Sequence, residues 1–260
     1  MPPLPAHFEP ATRNPRNLRI TAFILVGIML LGGVLVLLAY QRWTHDQVKD
    51  ERPAFDGGRL TEEKDLPLIR QDGSRAGLFD LAGKVSLIQA TSAADPASSA
   101  LTTAVMRRLA ARYAGNPDCV LVSLVLDPGP AEHATATLKA AAAPLDATLP
   151  QWWVATTDPD VLRKYIKKEL KASLYPEWKD GKWEYDTSIV VVDRNRHLRR
   201  PVVHQQRGGS PYVGPFDFDQ AAGWDARGVK SGTGRTNVEE LELLLIKTID
   251  ELLAEPLKTS

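Results

Sequence analysis

One cysteine, Cys119, among 260 residues is the sharpest absence in this sequence. It excludes an intramolecular disulfide, a Cys-x-x-Cys redox pair and any multi-cysteine zinc or iron–sulfur site. Net charge is missing as well: 32 basic side chains balance 32 acidic ones. Nothing electrostatic therefore favours a nucleic-acid partner. The histidines, His7, His45, His133, His197 and His204, include no His-x-x-x-His pair of the kind that builds a metal site on a helix. Ser98 and Ser99 lack the glycines of a G-x-S-x-G elbow and read as helix-start polarity, not as nucleophiles. Gly208-Gly209 and the glycines of 228–234 have neither the lysine nor the strand–helix context of a phosphate loop, and read as loop. Cys119 sits inside an apolar run with no group nearby to lower its pKa, and reads as a small buried hydrophobe.

What is present begins with a long apolar stretch. Residues 1–19 form a short polar tail with Arg13, Arg16 and Arg19, and Ile20–Tyr40 then runs without a charge. That length crosses a bilayer core of about 30 Å as a helix. It is too long for the apolar core of a cleaved signal peptide, and LLAYQRW offers no small-residue cleavage site. Basic residues on the two sides balance, with Arg42, Lys49 and Arg52 following the span. A short tail before a long domain places the tail in the cytoplasm and the domain outside it, in the periplasm. Residues 41–60, broken by Pro53 and Gly57-Gly58, read as a linker.

From 61 to 254 the pattern is that of a globular domain. Leu66–Arg70 and Ala76–Phe79 flank Gln71-Asp72-Gly73-Ser74, a hairpin signal. The stretch Lys84–Gly115 organises the rest. Val85–Ile88 reads as a buried strand, Asp95-Pro96 as N-cap and first helical residue, and Leu101, Val105, Leu109 and Tyr113 as one apolar stripe. Cys119–Leu126 is a strand covered on both faces, followed by an alanine-rich helix over 131–143. Trp152–Ala155 is a short strand, and Asp158-Pro159 opens another helix. An aromatic loop with Tyr175, Trp178, Trp183 and Tyr185 leads to a second hairpin, Ser188–Val192 and Leu198–Val203. The stretch 204–236 shows no periodicity and reads as a loop insertion; Asn237–Glu240 fits a capping box before a final amphipathic helix. Strands alternating with helices predict an α/β domain with a mixed sheet.

Between about 60 and 203, and again in the last helix, the chain resembles the Sco/SenC family of thioredoxin-fold copper proteins of cytochrome c oxidase assembly. The residues that carry the resemblance are the QDG turn, Leu81-Ala82-Gly83-Lys84, VSLVLDP with Leu138-Lys139, Thr157–Leu162 and SIVVVDRNRHLR. The membrane anchor fits as well. The resemblance implies a thioredoxin-like mixed sheet flanked by helices and, in the family, copper held by a Cys-x-x-x-Cys pair and a distant His. In this sequence those positions fall on Ala93, Ala97 and Thr187. None of the three is a copper ligand, and no cysteine lies between Lys84 and Pro117.

The expectation is a membrane-anchored, non-catalytic protein without a cofactor. Its partner would be another protein, such as a respiratory oxidase subunit or assembly factor. The alternative is a metallochaperone using relocated ligands from His133, His197, His204 or Cys119. Tyr212, Phe216, Phe218 and Trp224, with Trp178 and Trp183, form a partner-binding surface or lid, or else pack onto the domain's own body.

Overall fold

In a computed structural model the chain divides into two units, 1–50 and 51–260. The structure describes residues 15–48, 55–203, 212–229, 231 and 233–256. The first unit is a helix, α1 (Pro15–Val48), and its Pro15–Tyr40 portion is long and apolar enough to cross a membrane. Leu, Ile, Val and Phe side chains along it stand more than half exposed, as on a helix that a hydrocarbon layer would cover.

The second unit is built on an eight-stranded sheet. Its strands are β1 (Phe55–Arg59), β2 (Pro67–Arg70), β3 (Arg75–Gly77), β4 (Val85–Thr91), β5 (Cys119–Val125), β6 (Trp152–Thr156), and two further strands of a late hairpin. Between and after them come α2 (Ala100–Arg112), α3 (Ala134–Ala142) and α4 (Pro159–Lys168). A two-stranded ribbon, β7 (Glu177–Lys179) and β8 (Lys182–Glu184), precedes the late hairpin, β9 (Val190–Val192) and β10 (His197–Arg200). A second ribbon, β11 (Val202–Val203) with β12 (Tyr212–Val213), and helices α5 (Phe218–Ala226) and α6 (Asn237–Ala254) complete the unit. The strand order is β1-β10-β9-β4-β5-β6-β2-β3, with β4, β5 and β6 parallel and every other pairing antiparallel. This is a mixed sheet flanked by helices, as the alternation predicts, and a thioredoxin-like one, as the resemblance implies.

Alternation along the central strands sorts their side chains onto two faces. Val85 and Leu87 join Leu121, Val154, Val105, Leu109, Ile249 and Leu252 in one core. Ile88 and Ala90 join Val122, Leu124, Ala155, Leu162, Tyr165 and Ile166 in the other. Thus α2, α3, α5 and α6 cover one face, and α4 with the 3₁₀ turn Leu78–Leu81 packs on the other. That is why β5 is apolar at nearly every position.

Local signals account for many element ends. Asp158 accepts from the backbone N–H groups of Asp160 and Val161 and caps α4, with Pro159 behind it. Gln71 turns inward from the first hairpin and mimics a strand residue: its amide donates to the Trp152 carbonyl (2.8 Å) and accepts from the Val154 N–H (2.9 Å).

Several expectations need correction. Residues 96–99 form a tight 3₁₀ turn before α2 begins at Ala100, and the Asp95 side chain caps nothing. The capping box of α6 is Thr236 with Glu239, one residue earlier than read, because Asn237 is drawn to the Asp225 carboxylate. Part of the stretch read as linker forms β1, whose partner β10 is remote in sequence. The stretch 204–236 contains β12 and α5, capped by Asp217, although 204–211 lies outside the described residues. The aromatic loop is a ribbon: Asp180 (φ 51°) and Gly181 (φ 80°) make its turn, and Trp178 meets Trp183 edge to face at 5.8 Å. The Asp-Gly pair between tryptophans was the signal for it.

Candidate functional site: the turn after the central strand

Strands β4 and β5 run parallel in register, with Thr91 beside Val125, so their carboxyl ends leave the sheet together. The turn 92–99 leaves the first and Asp127 leaves the second. The Asp127 carboxylate reaches across and accepts from Ser92 Oγ (2.7 Å), the Ala93 N–H (2.7 Å) and the Ala94 N–H (3.1 Å). Two successive backbone N–H groups of this kind form a small anion cradle, and here the chain's own carboxylate fills it. A fourth donor comes from the ribbon, where Trp183 Nε1 lies 3.2 Å from the same carboxylate.

The rest of the turn is closed on itself. Ser92 Oγ accepts from the Asp95 N–H (2.9 Å), and Ser98 Oγ donates to the Asp95 carbonyl (2.7 Å). Ser98 also meets the Tyr185 hydroxyl at 2.6 Å, and Thr91 meets Ser99 at 3.2 Å. Burial pushes the Tyr185 phenol above its ordinary range. Among the described residues no imidazole hydrogen-bonds Ser98 or Ser99, so neither serine has a histidine base there to activate it.

At the three positions of interest the side chains are Ala93, half-buried, Ala97, exposed, and Thr187, half-buried. The Thr187 hydroxyl donates to Asp219 Oδ2 at 2.5 Å. Next to it, Asp186 accepts from the backbone N–H groups of Ser173 and Ser188. Burial alone raises this carboxyl, but hydrogen bonds from Ser188 and Ser173 outweigh it and hold the group below the usual carboxylate range.

Among the described residues the candidate relocated ligands do not form a metal site. Cys119 is fully buried in β5, and burial, with the charge of Asp250, pushes its thiol up to about 12. His133 is exposed ahead of α3, His197 lies on β10, and His204 is outside the described residues. Among the described residues no three His, Cys, Asp or Glu side chains are placed to hold a metal ion.

Of Tyr212, Phe216, Phe218 and Trp224, read as a partner surface or lid or as packed onto the domain's own body, the two phenylalanines are core. Phe216 and Phe218 are 1% and 0% exposed, because an isolated bridge from Ile189 to Phe216 draws the segment inward and α5 starts there. Trp224 is half-buried on α5, and the Tyr212 side chain lies outside what is described. Apolar groups that face solvent on and just before the ribbon are Leu174, Tyr175 and Trp178, exposed by 53%, 42% and 54%, and Trp178 packs on Trp183, whose indole reaches Asp127.

No known family model matches the chain, and no curated protein matches it. Solved structures do. A SCO1/SenC family lipoprotein from Bacillus anthracis aligns at 17% identity and a TM-score of 0.48, over 73% of this chain and 93% of that one. The chain is similar in fold to Sco/SenC proteins. BsSco, a member of the Sco family of cytochrome c oxidase assembly proteins, aligns at 16% identity and a TM-score of 0.47, over 75% and 96%. Bradyrhizobium japonicum ScoI, solved with copper bound, aligns at 19% identity and 0.41, over 70% and 97%.

Proposed function

We propose that this chain is a membrane-anchored, non-catalytic Sco/SenC-like protein that works by binding another protein in cytochrome c oxidase assembly or copper delivery. The observation that carries the reading is the turn after β4. Alanines stand where the resemblance places thiolates, and the surrounding polar groups are bonded to one another through Asp127. Alanine offers neither a lone pair to Cu(I) nor a thiol to exchange, so no copper transfer or disulfide chemistry runs through this turn. The internal hydrogen bonds keep its shape without a metal. What it offers outward is a contact surface, continued through Trp183 to the exposed Trp178 of the ribbon, with the exposed Leu174 and Tyr175 just ahead of it in the chain. The apolar helix Pro15–Tyr40 holds the domain at the membrane, on the extracytoplasmic side.

Two measurements on the full-length protein in detergent test this. In a Cu(I) titration against a chromophoric competitor, the wild type takes up no stoichiometric copper, whereas Ala93→Cys, Ala97→Cys and Thr187→His together gain a site. Stoichiometric binding by the wild type overturns the metal-free reading. Capture from native membranes recovers oxidase subunits or their assembly factors, and Tyr175→Ala with Trp178→Ala removes them. Recovery unaffected by that pair would sink the proposed surface.

A further inference from the structure

Next to the β9–β10 hairpin, four segments line a cavity of about 140 Å³. They are Leu170–Ser173 after α4, Asp186–Val190, Leu198–Arg200, and Pro215-Phe216. A water takes about 30 Å³ of liquid, so this is room for four or five waters or one molecule of about six heavy atoms. Much of the wall is apolar, with Leu170, Ile189, Val190, Leu198 and Phe216. Four charged residues line it, Lys171, Asp186, Arg199 and Arg200. Lys171 is exposed to solvent and Arg199 is paired with Asp193, which leaves Asp186 and Arg200, from different segments, to face the cavity.

Among the described residues neither Asp186 nor Arg200 has a counter-charge. Asp186 is only 9% exposed, and its hydrogen bonds come from Ser173 and Ser188, so it is stabilised as an anion without a cation. Arg200 donates through Nη2 to the Lys171 carbonyl at 2.9 Å, which ties its guanidinium to the rim. Neither residue forms an ion pair with any described residue, and they do not pair with each other. The neighbouring Arg199 differs: its guanidinium is bonded to Asp193 (2.5 and 2.7 Å) and lies 3.6 Å from Glu255. A buried carboxylate is ordinarily paired. Here an unpaired anion and an unpaired cation share one small cavity.

We propose that this cavity binds a small zwitterion of the amino-acid type, with its ammonium toward Asp186 and its carboxylate toward Arg200. A short carbon spacer would lie against the apolar wall. A simple amine leaves Arg200 unmatched, and a simple carboxylate leaves Asp186 unmatched; only a molecule with both charges satisfies both. Asp186 adjoins Thr187, but the site uses no metal ligand and does not depend on the proposed partner.

The test uses the full-length protein in detergent and β-alanine, which has six heavy atoms, with n-propylammonium and propionate as single-charge comparators. Binding is read by calorimetry and ligand-observed NMR. β-Alanine is expected to bind saturably, and each comparator about tenfold more weakly, as befits loss of one charged hydrogen-bonded contact. Arg200→Gln, a half-exposed position that leaves the fold intact, weakens β-alanine about tenfold without moving the thermal midpoint of the unliganded protein. Ala172→Leu, which fills the cavity from its wall, abolishes binding. Absence of saturable β-alanine binding overturns the proposal. So does equal binding of either comparator, or β-alanine binding unchanged in both variants.

Discussion

The indole N–H of Trp183 lies 3.2 Å from the Asp127 carboxylate, so a ribbon residue is joined to the end of β5 from 56 positions away. The same carboxylate holds the turn after β4. Asp127 is thus the residue through which turn, sheet and ribbon share one geometry.

Removing it should show. Asp127→Ala leaves the Ser92 hydroxyl, two backbone N–H groups and the Trp183 N–H without their acceptor. The site is partly open to water, so the expected loss is about 2 kcal/mol, below the full penalty for four buried orphans. The urea midpoint should fall, and Trp183 fluorescence should shift as the ribbon loosens. An unchanged midpoint would show that the carboxylate does not hold the turn.

Cys119 should be inert in the folded protein. Its thiol is completely buried and pushed up to about 12 from an ordinary 9.0. A thiol-reactive probe at mildly alkaline pH is expected to label it only after denaturant is added. The pH dependence has a definite sign. Above about 9 the unfolded chain releases this proton while the folded chain keeps it, so the folded state binds more protons and stability falls as pH rises. The contribution is complete below pH 9 and is lost between 9 and about 12. In Cys119→Ala the alkaline slope should become shallower; an identical slope in both proteins would refute the assignment.

Gly77 is required by a close approach, not by its backbone angle. Asp65 accepts from the Leu66 and Phe79 N–H groups, both at 2.8 Å, and a Cβ on Gly77 would stand 2.0 Å from Asp65 Oδ2. Gly77→Ala must therefore displace that carboxylate, at an expected cost of about 1–3 kcal/mol in denaturant unfolding. A neutral substitution would mean that Asp65 is free to move aside.

Much of the fold was legible because short-range physics decides it. The alternation of β4, β5 and β6 with helices, the Asp158-Pro159 start of α4 and the QDG hairpin each rest on neighbours in the chain. Where the reading slipped, a remote contact had intervened. Asp225 takes Asn237 into its own hydrogen bonds and leaves the cap to Thr236, and β10 turns a linker-like segment into β1.

The sequence by itself determined that no thiolate, and no disulfide, stands in the turn after the central strand, because the single cysteine is Cys119, beyond that turn. It also determined the apolar span Ile20–Tyr40, a property of consecutive residues alone. Only the tertiary structure decided what became of the turn. The Asp127 carboxylate meets Ala93, Ala94 and Trp183 because parallel strands end side by side, a juxtaposition no local pattern encodes. It decided likewise that Phe216 and Phe218 fill the core, and that Asp186 and Arg200 face one cavity without pairing. Burial and the pairing of charges depend on which distant segments pack together, and that is settled only when the chain closes.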